Sequence, residues 1–154
     1  MDYKQDFKTR NQKGNIAEEK CVEVLKDKKI LHTRYGFDAI YDIPPRKFNT
    51  IPEVLRNTPD YMTFNRQATL LEAKGCRDVL RLKESDIKSY DWWNKLCPLF
   101  MFIYSTTHQE HKFIKWSILK SIAEWINDKE VYPDNKKPYY KIPWEEIDSS
   151  KENK

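Results

Sequence analysis

Between Leu99 and Tyr104 the chain reads Leu-Phe-Met-Phe-Ile-Tyr, an apolar run directly after Pro98. It is too short for a buried helix and reads as a strand covered on both faces, which belongs inside a sheet with other elements packed on each side. Composition limits what supplies that cover. The 154 residues are about one domain's worth, and 34% are charged against ~25% typically, so the 21 aromatics have to carry much of the core. Folding at this size buries about two-thirds of the unfolded surface, enough without disulfides or structural metal. Cys21, Cys76 and Cys97 are too widely spaced for a zinc clip and read as reduced, small side chains. No stretch of ~18 apolar residues occurs and Met1 to Lys13 is polar, so no membrane span or secretory signal is expected and the cytoplasm is the expected location. The net charge of +4 is compatible with a polyanion partner and proves nothing alone.

Periodicity supplies the order of elements. Ala17, Cys21, Val24 and Leu25 recur at helical spacing within Gly14 to Lys29, with Asn15 as a candidate cap. Ile30 to Tyr35 reads as a strand, and Tyr41 to Asn57, with Pro44, Pro45 and Pro52, as an irregular excursion. Asp60 to Phe64 and Ala68 to Lys74, joined by Asn65-Arg66-Gln67, read as an antiparallel hairpin that Gly75 ends. Leu82 to Leu96 reads as a helix with Ile87, Tyr90 and Trp93 on one side. After Leu99 to Tyr104 come a turn at His108 to His111, a strand Phe113 to Ile118, and a short helix Leu119 to Ile126 with Ile122, Trp125 and Ile126 inward. Residues 128–154 read as a polar extension whose Tyr139, Tyr140 and Trp144 drape over the domain or trail from it. The predicted fold class is α/β, one domain over residues 1–154, with a mixed β-sheet flanked by helices and an αβββαβ core.

In Leu70-Leu71-Glu72-Ala73-Lys74 the strand period of two sends Glu72 and Lys74 to the same side, roughly 6 to 7 Å apart. Acid-x-Lys occurs nine times in the chain and by itself selects nothing. Only Glu72-Ala73-Lys74 closes an apolar β run, and only it pairs with a strand that opens on an acid, Asp60 after Pro59. Taken singly, Asp60 reads as a turn residue and Glu72 with Lys74 as a solvated ladder pair. Together they offer what a metal-dependent phosphodiesterase needs, carboxylates converging beside a cation.

Pro59-Asp60, eleven residues, then Glu72-Ala73-Lys74 resembles the signature of the PD-(D/E)xK nuclease superfamily. Gly14 to Glu18 is similar to the Gly-x-x-x-Glu pattern on the first helix of several members, archaeal junction resolvases among them, and Thr58-Pro59-Asp60 looks like the lead-in of phage junction-resolving endonucleases. The likeness covers residues 14 to 106. It implies a restriction-endonuclease-like sheet and an Mg²⁺-dependent DNA endonuclease of recombination, repair or phage DNA processing, in a prokaryotic or phage-infected cell. On that resemblance Asp60, Glu72 and the main-chain carbonyl of Ala73 hold the Mg²⁺, for which Mn²⁺ substitutes. Lys74 orients or activates the attacking water, and Glu18, rather than Glu19, reaches a second metal or a metal-bound water. RecB-like exonucleases carry Gln followed four residues later by Tyr on the next helix; Asp86 and Tyr90 keep that spacing with Asp in place of Gln.

Arg46, Lys47, Arg56 and Arg66, in the loop before Asp60 and in the hairpin turn, are the candidate DNA grips, with Lys83 and Lys88 near the start of the second helix. Trp92-Trp93 suggests base stacking, but at least one of the pair reads as core. His32, His108 and His111 lack a third ligand and read as surface positions. The expected partners are DNA and a second copy in a homodimer, two sites for two strands. The same residues leave two alternatives: a site-specific nuclease of restriction or homing type, and a non-catalytic nucleic-acid-binding protein of the same fold.

Overall fold

The computed structural model describes residues 3–36 and 45–148. In chain order the elements are α1 (Tyr3–Asp27), β1 (Leu31–Arg34), α2 (Pro45–Phe48), α3 (Glu53–Arg56), β2 (Tyr61–Asn65), β3 (Gln67–Cys76), β4 (Val79–Lys83), α4 (Glu84–Leu96), β5 (Leu99–Ser105), β6 (Glu110–Lys115), α5 (Trp116–Ile126), β7 (Lys129–Val131), β8 (Pro138–Pro143) and a 3₁₀ turn at Trp144–Glu146. This is a mixed α/β fold. The main sheet runs β1-β2-β3-β5-β6, with β3 and β5 parallel and the other neighbours antiparallel.

β5 lies inside that sheet, as the apolar run requires. Leu99, Met101 and Ile103 turn to one face, where they meet Leu70, Tyr90 and Trp93 of α4, and Leu119 and Ile122 of α5. Phe102 turns to the other, against Leu71, Ala73 and Tyr61, with Cys21 and Leu25 of α1 closing that side. Each large aliphatic buried this way contributes about 1.5–3 kcal/mol.

The first helix is longer than its apolar period announces. Asn15 sits inside α1 and caps nothing, because the polar residues ahead of it are good helix formers that leave no hydrophobic trace. At the other end Lys29 takes a left-handed conformation, φ 54°, and the Ile30 N–H returns to the Leu25 carbonyl at 2.9 Å, stopping the helix before Lys29. Gly75 does not end its strand, which continues to Cys76. It is instead where α1 crosses closest: a Cβ at Gly75 would overlap the Lys13 carbonyl, whereas one at Gly14 would meet open space.

Two segments differ more. The expected strand Phe113 to Ile118 lies earlier, at Glu110–Lys115, so Trp116 opens α5 and the phase of that helix leaves Trp125 76% exposed rather than inward. A second sheet, β4-β8-β7, joins the stretch before α4 to residues 129–143. Leu80 pairs with Ile142 and Leu82 with Tyr140, and these four enter the same buried cluster as Trp144 and Ile147. Residues 41–44 of the expected excursion and 149–154 of the expected extension lie outside the described residues. Among the described residues no helix is long and apolar enough to cross a membrane.

Candidate active site

The hairpin register sets the centre of the site. Tyr61 stands opposite Leu71, so Asp60, one position earlier, and Glu72, one position later, come from adjacent points of neighbouring strands. Asp60 Oδ2 accepts the Ala73 N–H at 2.8 Å. Glu72 Oε1 accepts the Tyr90 hydroxyl at 2.6 Å, and Lys74 Nζ lies 2.9 Å from the same oxygen. Tyr90 and Asp86 are four apart on α4 and therefore share a face; Asp86 Oδ2 is 3.7 Å from Lys74 Nζ. Asp60, Glu72 and Asp86 are each 8% exposed.

A second cation stands on the far side of Asp60. Arg34, the last residue of β1, donates to Glu18 Oε2 at 2.7 Å and to the Tyr61 hydroxyl at 3.1 Å, while its Nη2 is 3.7 Å from Asp60 Oδ1. The site is thus two chains of carboxylate, cation, carboxylate: Glu18-Arg34-Asp60 and Glu72-Lys74-Asp86. Four carboxylates against two cations leave this network a formal charge of −2.

Buried negative charge in excess shows in the protonation equilibria. Burial, with the neighbouring Glu72 carboxylate adding to it, pushes the Asp60 pKa well above the usual carboxyl range, against the opposing Ala73 N–H. Burial disfavours the charge on Lys74, but Tyr90, Glu72 and Asp86 outweigh it and hold that pKa well above the ordinary lysine value. Lys74 is therefore an ammonium, a hydrogen donor and not a proton acceptor. Burial and the nearby Glu72 likewise raise Tyr90, which keeps its hydroxyl proton to donate.

A hard divalent cation fits this donor set. Glu72 Oε2 accepts no bond among the described residues, and Asp60 Oδ1 has only the 3.7 Å approach of Arg34. These two oxygens of largely buried residues, in a network short of two positive charges, suit Mg²⁺, which commonly takes one or two carboxylates and completes its shell with water and phosphate. Arg34 pairs with Glu18, and among the described residues no group of three or more His, Cys, Asp or Glu side chains converges as a metal site.

The expected DNA grips scatter. Arg46 and Lys47 are exposed on α2, and Lys88 is exposed on the side of α4 away from Asp86 and Tyr90. Lys83 is the last residue of β4, where α4 begins, and Arg56 ends α3 half-buried, its Nε enclosed without a hydrogen-bond partner among the described residues. Arg66 occupies the tip of the β2–β3 hairpin at φ 66°. Six positions from Asp60 along an extended strand, it lies about 20 Å from the carboxylates and outside the cluster. Trp93 is buried and donates to the Val54 carbonyl at 2.9 Å, whereas Trp92 is 45% exposed. The histidines stay apart: His32 bonds the Ile30 carbonyl, His108 stacks on Trp144 and His111 on Phe102.

Two residues of the network, Arg34 and Tyr61, carry no mark in the sequence motifs. Asp86 is recoverable from helical phase, four residues before Tyr90; a lone arginine ending a four-residue strand gives no such signal. No known protein-family model matches the chain, and no curated protein matches it.

Proposed function

We propose that the protein is a metal-dependent endonuclease that hydrolyses DNA phosphodiester bonds in recombination, repair or phage DNA processing. The observation that carries the reading is the hairpin centre: buried Asp60 and Glu72 on adjacent strands, with the Lys74 ammonium 2.9 Å from Glu72. The deficit of two positive charges supports it further. Asp60, Glu72 and the Ala73 carbonyl would hold Mg²⁺ or Mn²⁺, which supplies charge neutralisation at the phosphate and a more acidic water. The Ala73 N–H and the Tyr90 hydroxyl each hold one carboxylate oxygen still, so that the opposite oxygen is presented. Lys74, braced between Glu72 and Asp86, donates to the attacking water or to a non-bridging phosphate oxygen. Exposed Arg46, Lys47 and Lys88 supply backbone contacts to DNA, and two-fold pairing of the chain would present two such sites to two strands.

The test is a labelled panel of Holliday junction, flap, single-strand and duplex DNA with Mg²⁺ or EDTA. Cleavage is expected with Mg²⁺ only. Lys74→Ala should lower the cutting rate at least about 100-fold, the lower bound for a positioned proton-donating group, and leave the gel-shift affinity largely intact. A Lys74→Ala protein that cuts at the wild-type rate refutes the assignment. The pairing of every buried carboxylate with an internal cation favours one second reading, a non-catalytic nucleic-acid-binding protein of the same fold. Such a protein would shift the substrates and cleave none, with or without metal.

A further inference from the structure

Arg34 does not sit in its site the way an arginine built for a permanent ion pair does. A guanidinium matched to a carboxylate normally engages it through two parallel N–H bonds. Here Nη1 serves Glu18 and Tyr61, Nη2 approaches Asp60 only to 3.7 Å, and Nε is buried with no hydrogen-bond partner among the described residues. Each carboxylate is thus met by a single nitrogen. The firm part of the arrangement is elsewhere: the Arg34 Cζ stands 5.1 Å above the Tyr61 ring, and Tyr61 is itself 5% exposed. The guanidinium can release Asp60 while its stem and one nitrogen remain on Tyr61.

Its position matters as much as its loose grip. It contributes its charge to Asp60 Oδ1, one of the two carboxylate oxygens left without a hydrogen bond, and through Nη1 to Glu18, the acid on the neighbouring helix. We infer that Arg34 is a built-in counter-cation that competes with the divalent ion for Asp60 and Glu18 and is displaced from Asp60 when the ion binds. This rests on the metal-site reading given above and adds a regulation of that site. With Arg34 in place the carboxylates are partly neutralised and resist loading by stray cations. Once displaced, the guanidinium is a free donor beside the bound phosphodiester, so that the cost of expelling it is offset best when ion and polyanion arrive together.

The experiment is a calorimetric titration of MnCl₂ into the full chain without DNA, for wild type, Arg34→Met and Arg34→Lys. Arg34→Met should bind Mn²⁺ about 10- to 100-fold more tightly, the span typical of residues that tune a metal from outside its ligand shell, while Arg34→Lys stays near wild type. Wild type binding with Arg34→Met equal or weaker overturns the counter-cation role and leaves the nuclease reading standing. Binding by none of the three overturns both. If circular dichroism shows Arg34→Met unfolded, Arg34→Gln, which retains a donor for Glu18 or Tyr61, takes its place. A measurement on the wild type alone needs no variant: the Arg34 Nε–H resonance should move along the Mg²⁺ binding curve, and a resonance that stays fixed through saturation overturns the inference.

Discussion

Tyr90→Phe removes one oxygen atom from the site and leaves the packing in place. The ring is 1% exposed and meets Trp116 edge-on with centroids 5.1 Å apart, contacts that phenylalanine keeps. What disappears is the hydroxyl donated to Glu72 Oε1 at 2.6 Å, a buried bond to a charged acceptor. Bonds of that kind contribute about 1.5–3 kcal/mol. Lys74 Nζ remains 2.9 Å from the same oxygen, so Glu72 is not orphaned and the loss falls at the low end, about 1.5 kcal/mol. For a chain of this size, at ~2–4 °C per kcal/mol, Tm should fall by about 3–6 °C. Thermal and urea unfolding in EDTA, followed by circular dichroism, reads both values. Glu72→Gln and the double variant close a cycle that isolates the pair, with a coupling of about 1 kcal/mol or more expected between contacting groups. A Tyr90→Phe protein within about 0.5 kcal/mol of wild type, or a cycle whose single losses simply add, would refute the idea that this bond fixes Glu72.

Gly75→Ala should cost about 1–3 kcal/mol, because the added methyl meets backbone of α1 that cannot rotate away, and a urea midpoint unchanged from wild type would contradict the close crossing. Gly14→Ala, in open space inside the same helix, should instead stabilise by about 0.5–1 kcal/mol in the same assay. Asp60→Asn should flatten the pH dependence of stability in EDTA. The folded Asp60 carboxyl holds its proton more tightly than the unfolded chain does, so its contribution is full below about pH 4 and is lost as pH rises through the elevated pKa. Wild type should therefore weaken with rising pH by up to about 1.4 kcal/mol per unit relative to Asp60→Asn, and parallel curves for the two proteins would contradict the shift.

What the sequence discloses here is what local rules can reach. The period of two places Glu72 beside Lys74, the three-residue turn fixes the rung on which Asp60 arrives, and helical phase brings Tyr90 to the same face. The same arithmetic also puts Arg66 at the wrong end of the hairpin, a conclusion available from strand length before any coordinates. β4 and β8 escape such rules. Val79–Lys83 abuts a helix whose apolar pattern absorbs Leu82, and Pro138–Pro143 is bracketed by prolines that read as loop; each becomes a strand only because the other, far along the chain, pairs with it. Arg34 escapes for the same reason, since its partners reach it from two distant segments, Glu18 from α1 and Asp60 with Tyr61 from the start of β2.

The small sheet has a consequence for when the site can exist. β4 leads without a break into α4, which supplies Asp86 and Tyr90, and its partner strand β8 follows only after β5, β6, α5 and β7. Until Ile142 and Trp144 have left the ribosome, Leu80 and Leu82 lack their cover and the start of that helix is unbraced. A nascent chain would then carry every acid of the cluster yet hold them unassembled until β8 has been made.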